Sequence, residues 1–104
     1  MIRVTGGRWR NRALPAVVPA GVRPTSARAR EALFSMLGQD LTGLSFLDLC
    51  AGSGAVAIEA ASRGASPVRV VERSPASLKA IRENAAAVGV ALTVEVADAR
   101  AGGI

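Results

Sequence analysis

The chain has 104 residues, of which half are hydrophobic and only 3% are aromatic. This length suits one small domain whose core must be built from Ala, Val, Leu and Ile. One cysteine and no histidine exclude an internal disulfide and an ordinary zinc site. No apolar run approaches the roughly 18 residues of a membrane span. The Arg-rich N-terminal segment is similar to a transit peptide, but its glycines and prolines would break the amphipathic helix that such a peptide needs. We therefore expect a cytoplasmic protein.

The basic residues are unevenly distributed. Residues 1–30 contain seven arginines and no acid, whereas residues 31–104 contain six basic and eight acidic residues. Guanidinium groups pair with phosphate and stack on bases, so we predict a nucleic-acid-facing surface within residues 3–30. Trp9 either stacks on a base or packs within a hairpin. The candidate contact residues are Arg8, Trp9, Arg10, Arg12, Arg23, Arg28 and Arg30.

The first 38 residues predict a hairpin, a connector and a helix. Residues 2–14 carry strand-like pieces around Gly6-Gly7 and Asn11, and residues 15–24 form a proline-rich connector. A helix begins at Thr25 or Ser26 and ends at Gly38. Its helical spacing predicts a buried apolar stripe and an outward-facing set. The stripe is Ala29, Ala32, Leu33, Met36 and Leu37, and the outward set is Arg28, Arg30 and Glu31.

From residue 45 the pattern alternates between strand and helix. Strands are predicted over residues 45–50, 68–72 and 92–96, and helices over 55–63 and from Ser74-Pro75 to Gly89. The second helix buries a stripe of Leu78, Ile81, Ala85 and Val88. Crossovers of this length predict a parallel α/β sheet. The first two strands are apolar, as in a covered sheet, and the third alternates like an edge strand.

A glycine turn, Gly52-Ser53-Gly54, follows the first of these strands. Glycines let the backbone approach a ligand, and the following helix presents free N–H groups. With Ala57 the turn also satisfies a relaxed dinucleotide fingerprint. Asp48 ends the strand before it, where a carboxylate would repel a pyrophosphate but suit the ammonium and sulfonium of S-adenosylmethionine. The alternative for Asp48 is a cap of the turn.

Two further acids follow the next two strands. Glu72 ends the second strand, where a carboxylate can accept hydrogen bonds from both ribose hydroxyls. Its alternative is a surface residue before the Ser74 cap. Asp98 follows the third strand and either accepts from the adenine amine or forms a simple turn. Cys50 has no histidine partner, so nucleophilic catalysis through it is not expected.

Residues 48–54 (DLCAGSG) and 59–65 (EAASRGA) together resemble the cofactor motif of class I methyltransferases. The variant is that of the bacterial small-subunit ribosomal RNA guanine-N2 methyltransferase D family. Gly6-Gly7, residues 23–25 and residues 30–34 resemble the N-terminal pattern of that family. The resemblance covers essentially the whole chain. One departure is Cys50, where the family usually has an aromatic residue.

The resemblance implies the first half of a doubly wound, Rossmann-like parallel sheet preceded by a basic hairpin and helix. Residues 1–24 are the hairpin and connector, and residues 25–104 are the helix and the cofactor-binding half. Asp48 and the turn of Ala51, Gly52, Ser53 and Gly54 would hold the methionine part of S-adenosylmethionine, with Glu72 on the ribose and Asp98 on the adenine. The basic arm would face small-subunit ribosomal RNA.

The implied reaction is methyl transfer to the exocyclic amine of a guanine, with no metal and no membrane partner. The family's catalytic motif, Asn or Asp followed by two prolines and an aromatic, is not in this sequence. We therefore expect this chain alone to be inactive, with no catalytic residue of its own. If it is truly truncated, we expect a complementing chain or an oligomer; the alternative is that the remainder follows residue 104. The alternatives are a non-catalytic module that binds cofactor or RNA and a nicotinamide-dependent oxidoreductase.

Overall fold

The computed structural model describes residues 2–17, 26–49 and 52–97. Within them the chain forms five strands and three helices, which we number in chain order. They are β1 (Ile2–Arg3), β2 (Ala13–Leu14), α1 (Ala27–Leu37), β3 (Phe46–Asp48), α2 (Ala55–Ser62), β4 (Val68–Glu72), α3 (Pro75–Val88) and β5 (Thr93–Val96). None of the helices in this part of the chain is long and apolar enough to cross a membrane.

The sheet is parallel, as the crossovers predict. β3 pairs with β4 and β4 pairs with β5, so β4 is the central strand of the three. Helix α2 connects the first pair and α3 connects the second. β1 and β2 form a separate antiparallel pair with Ile2 opposite Leu14, which confirms the hairpin. The carboxyl ends of β3 and β4, where Asp48 and Glu72 lie, consequently share one edge of the sheet.

The helices begin and end close to the predicted residues because their caps are encoded locally. Ser26 Oγ accepts from Ala29 N at 3.1 Å, and Ser74 Oγ accepts from Ser77 N at 3.3 Å ahead of Pro75. Gly89 ends α3 in the left-handed region, at φ 77°. The predicted ends of α1 and α3 are confirmed.

The core lies between the sheet and the helices, with α2 at its centre. Ala57, Ile58 and Ala60 of α2 are completely buried, as are Val70 of β4 and Ile81 of α3. Small side chains let α2 approach the sheet and its neighbouring helices closely. The predicted stripe of α3 is largely confirmed, since Leu78, Ile81 and Val88 are buried and Ala85 is partly buried.

The predicted buried face of α1 is wrong for four of its five residues, and only Leu33 is partly buried and packs against the core. Ala29, Ala32, Met36 and Leu37 are exposed, and Met36 is 87% exposed. Arg30, predicted to point outward, is only 2% exposed, and it is buried together with Phe34 one helical turn later. The reason is electrostatic: the Arg30 guanidinium pairs with a buried carboxylate on α2, which turns this charged side of α1 toward the core.

The first parallel strand is also shorter and less covered than predicted. It runs over Phe46–Asp48 instead of residues 45–50, and Leu47 is 51% exposed. The burial expected for a covered strand is therefore wrong for β3. Its position as an edge strand in the described sheet explains the exposure. The other edge strand, β5, confirms the edge predicted from its alternating pattern.

Candidate cofactor and RNA site

The glycine turn lies between β3 and α2. Gly52 has φ 57° and Gly54 has φ 82°, so both adopt the left-handed conformation that glycine tolerates best. Gly54 is also the N-cap of α2 and caps it without a side-chain hydrogen bond. A Cβ at Gly54 would lie 3.4 Å from Ile81 Cγ1, an ordinary contact distance, so it is the backbone angle and not the packing that favours glycine here. The turn is thus held against α3, with the N-terminus of α2 beside it.

Glu72 contacts this turn directly. Its Oε1 accepts from Gly52 N at 3.1 Å, and its Oε2 accepts from Arg73 N at 3.0 Å and Ser74 N at 3.1 Å. The carboxylate therefore connects the end of β4 to the glycine turn and to the start of α3. The predicted proximity of Glu72 and the turn is observed. That Glu72 also supports the turn through hydrogen bonds was not predicted.

Asp48 lies at the same edge of the sheet as Glu72. It is the last residue of β3, it pairs with Val70 two residues before Glu72, and it is partly exposed. Gly52, Ser53 and Gly54 follow it. Ala51, Cys50 and Asp98 were also singled out from the sequence, and they lie outside the described residues.

The chemistry of this edge fits an adenosyl cofactor with cationic groups. A carboxylate has about four acceptor positions, and backbone donors use three of those on Glu72, which leaves capacity for a hydroxyl donor. Asp48 adds a second carboxylate beside the turn. A carboxylate at the position of Asp48 favours a cationic ligand over a pyrophosphate, whereas Glu72 suits the ribose of either kind of cofactor. No cluster of metal-binding side chains is found among the described residues.

The arginines of the arm, which we define as residues 2–17, lie mostly at the surface. Arg3, Arg8, Arg10 and Arg12 are exposed, and Arg28 on α1 is exposed as well. The Arg8 guanidinium lies 4.8 Å from the centre of the Trp9 ring, in a cation–π contact. Arg12 donates to Ala87 O at 3.1 Å. Arg23 lies outside the described residues, and the buried Arg30 cannot belong to an exposed contact surface.

Trp9 both packs and borders a groove. It is partly buried and contacts both clusters of core residues. Together with Arg8 it lines an open groove of about 300 Å³, which Gly64, Ser66 and Ala91 also line. Val68, the first residue of β4, also lines it, so this groove lies at the opposite end of the strand from Glu72.

A buried carboxylate, Glu59 of α2, anchors the arm to the parallel sheet domain. Glu59 is 0% exposed, and it accepts from Thr5 N at 2.8 Å, Thr5 Oγ1 at 3.0 Å and Gly6 N at 2.9 Å. It also pairs with Arg30 Nε at 3.4 Å and Arg63 Nε at 3.1 Å. A buried charge is tolerated only with such compensation. The arm is therefore part of the fold and not a loose extension.

Ser62, near the end of α2, fixes the next part of the arm. Its Oγ donates to Gly6 O at 2.6 Å and accepts from Trp9 N at 3.0 Å, while its backbone oxygen accepts from Arg8 N at 2.8 Å. These contacts place Arg8 and Trp9 at the surface of the folded domain.

Glu59 and Asn84 are two structurally important polar residues that sequence reasoning did not identify. Both lie in helices and both are 0% exposed. The available signal for Glu59 was that it is the one charged residue in the helix Ala55–Ser62, where an isolated acid needs a partner. Asn84 interrupts the apolar stripe of α3 in the same way, between Ile81 and Val88.

The chain has relatives of known sequence and structure. It is 41% identical over 85 residues to ribosomal RNA small subunit methyltransferase D of Escherichia coli strain K12, which covers 82% of this chain and 43% of the relative. A solved hypothetical protein of Thermus thermophilus superposes with a TM-score of 0.83 and 36% identity, covering 97% of this chain and 58% of that chain. A solved methyltransferase candidate of E. coli, yhhF, superposes with a TM-score of 0.80 and 32% sequence identity. The match covers 97% of this chain and 55% of that chain.

These matches confirm the resemblance and the fold class: an α/β chain corresponding to half of a Rossmann-like fold. The chain spans less than half the length of the curated relative and somewhat more than half of each solved chain. A family profile matches residues 2–102, nearly the whole sequence. This chain belongs to the family described as Conserved hypothetical protein 95.

Proposed function

We propose that this chain binds S-adenosylmethionine at the glycine turn and serves methyl transfer to the exocyclic amine of a guanine in small-subunit ribosomal RNA. The observation that carries the proposal is the contact between Glu72 and Gly52, which joins an acidic strand end to the glycine turn. The similarity to ribosomal RNA small subunit methyltransferase D supports RNA as the substrate class.

Different residues of the chain bind different parts of the cofactor. Glu72 accepts from ribose hydroxyls with the capacity that its backbone contacts leave, and Asp48 attracts the cationic methionine part. Backbone groups of Ala51, Gly52, Ser53 and Gly54 approach that part closely, and Asp98 accepts from the adenine amine. When bound, S-adenosylmethionine supplies an electrophilic methyl group on a sulfonium. The protein's task is to orient the reactants.

The basic arm supplies the RNA-facing surface in this proposal. Arg8, Arg10 and Arg12 are exposed on a segment that the Glu59 and Ser62 contacts fix to the domain. Guanidinium groups held on a folded surface can contact phosphates without the entropy loss of ordering a free tail. We assign residues 1–24 to this RNA-facing part and residues 25–104 to the helix and the cofactor-binding part.

We also propose that these 104 residues bind without catalysing. No Asn-Pro-Pro or Asp-Pro-Pro sequence occurs among them, so this chain lacks the group expected to orient the target amine. A polypeptide segment that carries this motif would have to supply it. A methyl-transfer assay on a ribosomal RNA fragment, with purified chain of verified mass, tests this point. Sustained turnover by a monomer would show that the catalytic group lies within the sequence.

Calorimetric titration with S-adenosylhomocysteine tests the cofactor site. Losing a hydrogen bond to a charged partner costs about 1.5–3 kcal/mol, so Asp48→Ala and Glu72→Ala should each weaken binding roughly tenfold or more. Glu83→Ala removes an exposed carboxylate on α3 and serves as the matched control. Unchanged affinity in both site variants would reject the site. Tighter binding of a nicotinamide dinucleotide would favour an oxidoreductase instead.

A further inference from the structure

Asn84 is a buried amide whose polar atoms connect two other segments of the chain. It lies on α3, is 0% exposed, and its Oδ1 accepts from Ala16 N at 2.8 Å. Its Nδ2 donates to Ala16 O at 3.0 Å and to Ser53 O at 2.9 Å. One side chain therefore bonds both the arm, which ends near Ala16, and the central residue of the glycine turn.

The contact with Ser53 completes the support of the turn. Glu72 holds Gly52 from the β4 side, and Ile81 packs against Gly54 from α3. Asn84 lies one helical turn after Ile81, on the same face of α3, and holds the carbonyl between the two glycines. The three residues of the turn are thus each fixed by a different side chain, which limits the directions that their backbone groups can take.

The contact with Ala16 makes this support depend on the arm. Asn84 donates and accepts at one backbone residue, so its carboxamide has a fixed orientation while Ala16 is in place. Without Ala16, the buried amide would lose two of these three hydrogen bonds. An unpaired buried polar group costs about 1–3 kcal/mol, so the side chain would be driven to turn toward other partners or water.

We propose that Asn84 is a positioning residue that sets the conformation of the glycine turn and makes it depend on docking of the arm. The inference rests on the proposed function, because it assigns the turn to the cofactor. Asn84 acts through Ser53 and its role does not require contact with the ligand. As a consequence, a change in the position of the RNA-facing arm changes the conformation of the cofactor turn.

The most informative variant is Asn84→Asp. The carboxylate has nearly the same size and still accepts from Ala16 N, but it can donate neither to Ser53 O nor to Ala16 O. Leu78→Ala is the matched control, because Leu78 is buried on the same helix but lies outside the core cluster that contains Val4 and Leu14 of the arm. Two quantities are measured in the full 104-residue chain: affinity for S-adenosylhomocysteine, and amide hydrogen exchange at Gly52 without ligand.

We expect Asn84→Asp to weaken S-adenosylhomocysteine binding about fivefold to tenfold and to accelerate Gly52 exchange. Leu78→Ala should lower the melting temperature but leave affinity within about twofold of the original chain. Equal effects of the two variants would mean that Asn84 acts only through global stability, which overturns the proposal. Unchanged affinity and exchange in Asn84→Asp overturn it as well.

A second variant tests the same link from the arm. Ala16→Pro removes the N–H that Asn84 Oδ1 accepts from and leaves α3 unaltered. Ala16→Pro should also accelerate Gly52 exchange. If Asn84→Asp fails to fold, the exchange rate in Ala16→Pro tests the proposal in its place, and an unchanged rate would overturn it. Failure of the original chain to bind S-adenosylhomocysteine would reject the proposed function instead. The exchange of Gly52 would then still establish whether Asn84 and the arm position the turn.

Discussion

Gly7 and Ser62 lie so close together that no larger residue fits at position 7. A Cβ added to Gly7 would lie 2.0 Å from the Ser62 carbonyl oxygen and 2.7 Å from Ser62 Oγ. Gly7 also has φ 78°. The arm therefore meets the end of α2 backbone against backbone, and the Gly6-Gly7 pair in the sequence serves this contact.

Gly7→Ala should consequently destabilise the protein more than Gly89→Ala. Gly89 has almost the same backbone angle, φ 77°, but a Cβ there meets nothing within 4 Å. Both variants carry the left-handed strain of roughly 1–2 kcal/mol, and only Gly7→Ala adds an overpacking cost of about 1–3 kcal/mol. Chemical denaturation of both variants measures the difference. Equal losses of unfolding free energy in the two variants would mean that the arm can shift on α2 to make room for the added Cβ.

Glu59→Gln should cost about 3–5 kcal/mol, because it removes the buried negative charge that pairs with both Arg30 and Arg63. Such a loss is a large fraction of the roughly 5–15 kcal/mol typical of whole domains. Trp9 is the single tryptophan and sits in the arm, so its emission reports detachment of the arm as well as unfolding.

Glu83→Gln provides the comparison for Glu59→Gln. Glu83 is half exposed, and its Oε1 lies 3.9 Å from Lys79 Nζ, a surface ion pair worth less than about 1 kcal/mol. The same chemical change should therefore be nearly silent there. A Glu59→Gln chain as stable as Glu83→Gln would contradict the anchoring role of the buried carboxylate.

The parallel part of the fold could be predicted because its signals are local. Ser26, Ser74-Pro75 and Gly89 fix helix ends through their own backbone chemistry. The spacing of apolar residues then separates strands from helices, and crossover length decides that the strands run parallel. The meeting of Glu72 with the glycine turn follows from the same rule, since the ends of neighbouring parallel strands share an edge.

The docking of the arm could not be predicted, because its determinants are polar and distant in sequence. Glu59 meets Thr5 and Gly6 across more than 50 residues. Hydrophobic periodicity assigns charged residues to the surface, so it placed Arg30 outside and the exposed Met36 inside. A rule that reads only apolar spacing cannot recognise a helix that turns a paired arginine toward the core.

Trp9 emission should change when RNA binds, because the Arg8 guanidinium lies 4.8 Å from its ring centre. A phosphate or base that engages Arg8 alters this cation–π contact, whether or not a base stacks on the ring itself. Titration with a single-stranded ribosomal RNA fragment measures the change, and Arg8→Ala should reduce it. Full RNA binding with unaltered emission would place the contact elsewhere on the arm.

Replacing the exposed arm arginines should flatten the salt dependence of RNA binding. Each phosphate contact on a single strand contributes about 0.7 to the slope of log affinity against log salt, so Arg8→Ala, Arg10→Ala and Arg12→Ala together should remove about 2. None of the three lies at the cofactor turn, so S-adenosylhomocysteine affinity should be preserved.

Arg69→Ala is the control, because Arg69 is exposed on the central strand but already paired with Glu95. Filter binding across salt concentrations gives both slopes. If the triple variant keeps the original slope, the arm does not carry the phosphate contacts, and its buried attachment to α2 has another purpose.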